Sequence, residues 1–329
     1  MSTFMLPPFT HRLRRRSFLT AAIATAANAT LLSAHKSVAQ SADKTLRVGY
    51  QRYGTLLILK QSGLLEKALS SAGWHVKWSE FIAGPQMLQA LSADAIDLAE
   101  TGDAPPIFAQ SNWPDRLVYI GHSGSAPLGE GILVQADSGI EAVKDLKGKK
   151  VAFNRGSNVH YLLLNALTQS GLTMQDVHPV NLTPAAARAA FETKHIDAWA
   201  IWDPYLAAGE ALPSAKLLTS AENLSPNRQF LLSRRAFIDQ NADIARKVVT
   251  TFSGLEPWVT QNQQDLIHTL AESTGLAEGV IKTALSHLSL DVGFMDTTTQ
   301  AEQQKAADLL AQNALIPGAL RVEDMIWKG

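Results

Sequence analysis

The chain has 329 residues, with 29 basic and 30 acidic side chains, 46% hydrophobic residues and no cysteine. That length can bury the cores of two lobes rather than one. The missing thiols exclude a disulfide framework, cysteine-ligated zinc and a lipid-attachment cysteine.

Residues 1–39 read as a removable export signal. They hold Arg12, Arg14, Arg15, Arg16 and Lys36 without an acid, then an Ala-rich apolar stretch from Phe18 to Ala34, then Ser37-Val38-Ala39 as a small-x-small cleavage site. Within it Arg15, Arg16, Phe18 and Leu19 resemble the twin-arginine pattern, with Arg14 where Ser or Thr is usual. The apolar run is short and diluted by Thr, Asn and Ser, which argues against a membrane anchor. Without this segment 24 basic residues face 30 acidic ones, about −6. Such a chain suits neither nucleic acid nor an anionic membrane as partner.

From Val48 the chain reads VGYQRYGTLLILKQSGL, and from Val151 it reads VAFNRGSNVHYLLLNALTQSGL. Each is an apolar strand ending in an amide and an arginine (Gln51-Arg52, Asn154-Arg155), a glycine turn, and a helix that stops at Gln-Ser-Gly-Leu. In the second, Val159, Leu162, Leu163, Ala166 and Leu167 fall at helical spacing. A strand follows in each half (HVKWSEF, VHPVNL), then a helix opened by Pro85 or Pro184, then a strand that begins at Ile96-Asp97 or Ile196-Asp197 and ends at Asp103 or Asp203. The last motif recurs at an offset of 100 residues. Two β-α-β-α-β units imply two mostly parallel sheets flanked by helices, with ligands beyond the carboxyl ends of the strands. Set face to face, the two rims become the jaws of one cleft.

The stretches EFIAGPQMLQALSADAIDLAETGDAPPIFAQ, DLKGKKVAFNRGSNVHYLLLNAL and HIDAWAIWDPYLAA resemble the periplasmic aliphatic sulfonate-binding proteins of ABC importers, within the wider nitrate, taurine and thiamine-precursor binding group. The resemblance runs from about Leu46 to Phe237. It implies a two-lobed type II periplasmic binding fold, with lobe 1 from 40–129 plus 235–329, lobe 2 from 130–234, and crossings near Glu130–Val134 and Gln229–Arg234. It also implies a monomeric receptor in the periplasm that hands its ligand to a permease served by a separate ATPase subunit. Neither a cofactor nor a metal is implied. Taurine, nitrate or a thiamine-precursor pyrimidine is the alternative ligand, and an exported enzyme the alternative class.

A sulfonate is a permanent anion with three acceptor oxygens, so its site needs donors. RGSNVH supplies a turn opening a helix, where free N–H groups and the positive end of the helix dipole meet, with Ser157 as a hydroxyl donor and Asn158 beside it. The alternative for Ser157 is a plain helix cap. Gln51 is an uncharged donor at a strand end. Arg52, like Arg155, could reach the cleft or be solvated, or pair with Asp103 or Asp203. Gly102 and Asp103 end a strand before the APPIFAQ helix, so Asp103 reads as a cap; with an ammonium-bearing ligand, Asp103 or Glu130 becomes a partner. Trp199 and Trp202 lie three apart, so an extended strand sends them to opposite faces, Trp199 to the core and Trp202 to the ligand. Asp203 before Pro204 reads first as a cap.

Enzyme signatures are weak. GHSGS at Gly121–Ser125 misses the G-x-S-x-G elbow at its last position, no H-E-x-x-H occurs among the nine histidines, and no G-x-x-x-x-G-K-[ST] marks an ATPase.

Overall fold

The computed structural model describes residues 44–329; the segment 1–39, read above as an export signal, lies outside the described residues. The first half runs β1 (Lys44–Tyr50), α1 (Thr55–Ser62), α2 (Leu64–Ser70), β2 (Trp74–Glu80), α3 (Gly84–Ser92), β3 (Leu98–Thr101), α4 (Ala104–Asn112) and β4 (Leu117–Ser123). The second runs β5 (Glu130–Gln135), β6 (Lys150–Phe153), α5 (Asn158–Gln169), β7 (His178–Asn181), α6 (Pro184–Glu192), β8 (Ala198–Trp202), α7 (Tyr205–Glu210) and β9 (Ala215–Ser220). The chain then returns through β10 (Phe230–Arg234), α8 (Arg235–Ile238), α9 (Ala242–Thr251), α10 (Leu255–Thr274), α11 (Glu278–His287), β11 (Val292–Gly293) and α12 (Thr297–Gln312). The first helix of the repeat is split because Gly63, at φ 65°, takes the left-handed conformation that ends α1.

Two sheets result, in the orders β11-β4-β10-β3-β1-β2 and β7-β6-β8-β5-β9. β1 runs parallel to β2 and β3, and β6 parallel to β7 and β8. The sheets are nevertheless mixed rather than mostly parallel. β5 is antiparallel to β8 and β9, and β10 to β3 and β4. A strand that enters a sheet from the other half arrives from the cleft end and so runs against the parallel set. All of β5 lies in the smaller sheet and all of β10 in the larger, so the chain passes between the sheets at residues 124–129 and 221–229. The crossings expected near Glu130–Val134 and Gln229–Arg234 thus each come a few residues earlier: Glu130–Val134 lies on β5 of the smaller sheet, and from Phe230 the second stretch lies on β10 of the larger.

The repeated Ile-Asp motif has one structural job in both halves. Asp97 N–H donates to the Arg47 carbonyl at 2.7 Å and its carboxylate accepts from Arg47 N–H at 3.0 Å; Asp197 and Lys150 make the same pair of bonds at 2.9 and 2.7 Å. Each aspartate thereby seats the start of its strand against the neighbouring one. The turns before them match as well, with Asp94 at φ 60° and Lys194 at φ 57°. In α5 the helically spaced Val159, Leu162, Leu163, Ala166 and Leu167 are all buried. Burying each large aliphatic side chain contributes roughly 1.5–3 kcal/mol. Ile96 and Ile196 are buried at the corresponding places in the two halves.

Candidate ligand-binding cleft

The carboxyl ends of β1 and β3 from one sheet and of β6 and β8 from the other converge on one cavity. Gln51, Tyr53, Gly102, Asn158, Trp202, Asp203, Asn227 and His287 are among the residues that line it. A second chamber of about 320 Å³ shares Gln51, Tyr53, Trp202 and Asp203 with the first and is walled by Phe81, Ile82, Pro184 and Tyr205. Ile82 is 69% exposed at its mouth.

The two rims are electrostatically different, and the difference falls within the repeat. In the first half the amino end of α1 is already occupied: the Glu100 carboxylate accepts from Leu56 N–H at 3.1 Å and from the Thr55 hydroxyl. One hundred residues on, Ala200 stands where Glu100 stood. The amino end of α5 accordingly receives no side-chain cap, and Asn158, its first residue, faces the cavity. An uncapped first turn offers N–H donors and the positive end of the helix dipole. Gly102 lies directly opposite; a Cβ built on it would come 2.7 Å from Asn158 Cβ, so no larger residue fits while the halves meet this closely.

Several expected site residues take other parts. Ser157 does not line the cavity; it is buried, and its hydroxyl donates to the Asn154 carbonyl at 2.8 Å, so it neither caps α5 nor offers that proton to an anion. Arg52 points out of the inner cavity to an ion pair with Glu80 at 2.6 Å, 65% exposed at the edge of the outer chamber. Asp103 caps α4 through Ala104 N–H at 2.8 Å and accepts from the Ser225 hydroxyl at 2.6 Å. Glu130 is fully buried and accepts from Asn158 Nδ2 at 2.5 Å. Burial pushes the Asp103 carboxyl up to about 6, and burial followed by the charge of Asp103 pushes Glu130 well above the ordinary carboxylate range. Gln51, Gly102, Asn158, Trp202 and Asp203 do line the cavity. Trp199 is 1% exposed and packs near Phe191 and Tyr205, while Trp202 faces both chambers.

Three participants carried no sequence signal. The Tyr53 hydroxyl is buried without a hydrogen-bond partner among the described residues, and burial, then the Asp203 charge, keeps it protonated as a donor. Asn227 enters from the segment between β9 and β10. His287, from the end of α11, places Nδ1 2.8 Å from Asp203 Oδ2. His160, in the sequence motif, is neutral instead: burial and Arg155 hold its pKa near 4, and it stacks between Phe108 and Phe153 at 5.8 and 4.9 Å. Among the described residues no group of three or more His, Asp or Glu side chains is placed to hold a metal ion.

Two mixed α/β sheets joined by two crossings, with a donor-lined cleft at their strand ends, define a type II periplasmic binding fold. Residues 116–264 match the family described as NMT1/THI5 like. An Escherichia coli relative named as an aliphatic sulfonates-binding protein is 41% identical over 292 residues, covering 88% of this chain and 91% of the relative. The crystal structure of the periplasmic aliphatic sulphonate binding protein SsuA from Escherichia coli aligns with a TM-score of 0.79 at 40% identity, covering 87% of this chain and 92% of that one. The alkanesulfonate-binding protein SsuA from Xanthomonas axonopodis, bound to MOPS, aligns with a TM-score of 0.81 at 38% identity, covering 86% and 98%. The chain belongs to the aliphatic sulfonate-binding protein family.

Proposed function

We propose that this chain is the periplasmic receptor of an ABC importer: it captures an aliphatic sulfonate between its two lobes and delivers it, chemically unchanged, to a permease driven by a separate ATPase subunit. The observation that carries the reading is the asymmetry of the rims, with Glu100 occupying one helix terminus and Ala200 leaving the other open to an anion. The sulfonate head sits against the N–H groups at the start of α5, with Gln51 and Tyr53 donating from the opposite lobe. Its tail runs past Trp202 into the apolar outer chamber. MOPS, held by the Xanthomonas relative, is a sulfonate with a bulky tail, which fits a site of two chambers. The lobes, one on each sheet, hinge through residues 124–129 and 221–229. Residues 1–39 direct export. Among the described residues no helix is long and apolar enough to cross a membrane.

The tail chamber makes a graded prediction. From methanesulfonate to hexanesulfonate each further methylene buried there contributes about 0.8 kcal/mol, about fourfold in Kd, until the chamber is full. Trp202→Ala flattens the series. Tryptophan emission during titration of both proteins measures it; equal affinity for all lengths, or an unchanged series in Trp202→Ala, would place the tail elsewhere.

A further inference from the structure

Among the described residues that line the inner cavity, Asp203 and His287 form the one pair able to carry charge. Asp203 is 3% exposed and ends a strand of the smaller sheet; His287, 17% exposed, closes a helix whose Ile281 sits in the core under the larger sheet. Asp203 Oδ1 accepts from Ala207 N–H at 3.0 Å and Oδ2 faces His287 Nδ1 at 2.8 Å. A lone carboxylate here would repel the anion that the sulfonate reading puts in the cleft. With Nδ1 committed to Asp203, the imidazole keeps a single orientation, and its second nitrogen has no protein partner among the described residues while the ring borders the cavity. A carboxylate that fixes one ring nitrogen and leaves the other for an incoming group is a familiar way of orienting histidine.

We propose that His287, held by Asp203 across the lobes, is a specificity-determining residue: in its protonated form it supplies the positive charge that the sulfonate head group meets, and so makes capture depend on pH. The proposal rests on the sulfonate reading of the cleft. The groups around the ring favour the charged form. Helix α7 and the turn before it bring Glu210 and Asp203, while the Pro127–Gly129 segment brings no titratable side chain. On its own helix lie Glu278 and Lys282, and α10, packed on α11, carries Glu256, Asp265, His268 and Glu272, of which His268 is engaged by Glu278 and Glu272. The hydrogen bond that His287 Nδ1–H donates to the Asp203 carboxylate raises the His287 pKa above 6.5 against the opposing effect of burial, and Glu210 adds to it. Since the sulfonate keeps its charge at every accessible pH, affinity is full below the His287 pKa and falls as pH rises through it.

The test is calorimetric titration of wild type, His287→Gln and His287→Lys with hexanesulfonate, at about pH 6 and about pH 9, in buffers that carry no sulfonate. Wild type should bind about ten- to a hundredfold more weakly at the higher pH. His287→Gln should bind weakly at both, with no slope. His287→Lys keeps a cation to higher pH and should restore binding at both; it also guards against a glutamine variant that fails to fold. A wild-type slope in His287→Gln overturns this inference while leaving the sulfonate reading intact. Failure of wild type to bind hexanesulfonate at either pH overturns both.

Discussion

Gly102→Val should abolish high-affinity ligand capture while leaving the fold intact. The glycine is not required by a left-handed backbone; it is required by the neighbour across the cleft, since an added Cβ would lie 2.7 Å from Asn158 Cβ and 3.0 Å from its Cγ. Asn158 Cβ is bonded directly to its own backbone, so the lobes must part rather than a side-chain tip give way. Separation withdraws the amino end of α5 from the donors on the other rim. Losing two hydrogen bonds to a charged head group corresponds to at least about a hundredfold in affinity. Closure can be driven only by contacts made better in the closed state, and this substitution removes them. Titration with hexanesulfonate together with a thermal melt checks it. Wild-type affinity in Gly102→Val would mean that the two rims do not close on one ligand.

The second large effect is on stability. Asp97 is 3% exposed and accepts from Arg47 Nε at 2.9 Å, Arg47 Nη2 at 2.6 Å and Arg234 Nη2 at 2.5 Å, in addition to the backbone bond. Asp97→Ala leaves both guanidinium groups without this carboxylate and should cost about 3 kcal/mol, near the lower end for removing one partner of a buried pair because Arg47 keeps a third of its side chain in water. Asp197 makes the equivalent backbone bond but has no such ion pairs among the described residues, so Asp197→Ala should cost only about 1 kcal/mol. Burial alone would raise the Asp97 pKa, but the bonds from Arg47 and Arg234 outweigh it and hold the value below 3.8. The stability it contributes is therefore present above that pH and is lost on acidification through the lower folded-state value. Denaturant melts at neutral pH measure both variants. Equal losses in the two would show that the ion pairs add nothing to the backbone bond.

The repeat was legible because strand seating needs the same residue types twice. Ile96-Asp97 and Ile196-Asp197 and the strand-loop-helix units stand where the periodicity puts them. The opposite placement of Trp199 and Trp202 follows from the alternation of a strand in the same way. The sheets are less parallel than the βαβ pattern suggests, because β5 and β10 cross between halves and local periodicity carries no direction. Ser157 illustrates a finer limit: a hydroxyl before a helix serves a cap, an anion or its own turn, and only the fold shows that its proton goes to Asn154. His287 lies 84 residues beyond Asp203, on a helix outside the repeat, so nothing in the spacing joined them. The contrast of Glu100 with Ala200 was readable in the offset of 100, but its meaning depended on seeing which helix terminus the glutamate fills.

The central claim, an uncapped helix terminus set to receive a sulfonate, is tested most directly by calorimetric competition on the purified protein at neutral pH. Hexanesulfonate should bind with a Kd in the micromolar range or tighter, about −8 kcal/mol or better, and should displace hexanoate, nitrate, taurine and a thiamine-precursor pyrimidine, each at least about tenfold weaker. Tighter binding of nitrate, taurine or the pyrimidine than of any alkanesulfonate would contradict the account.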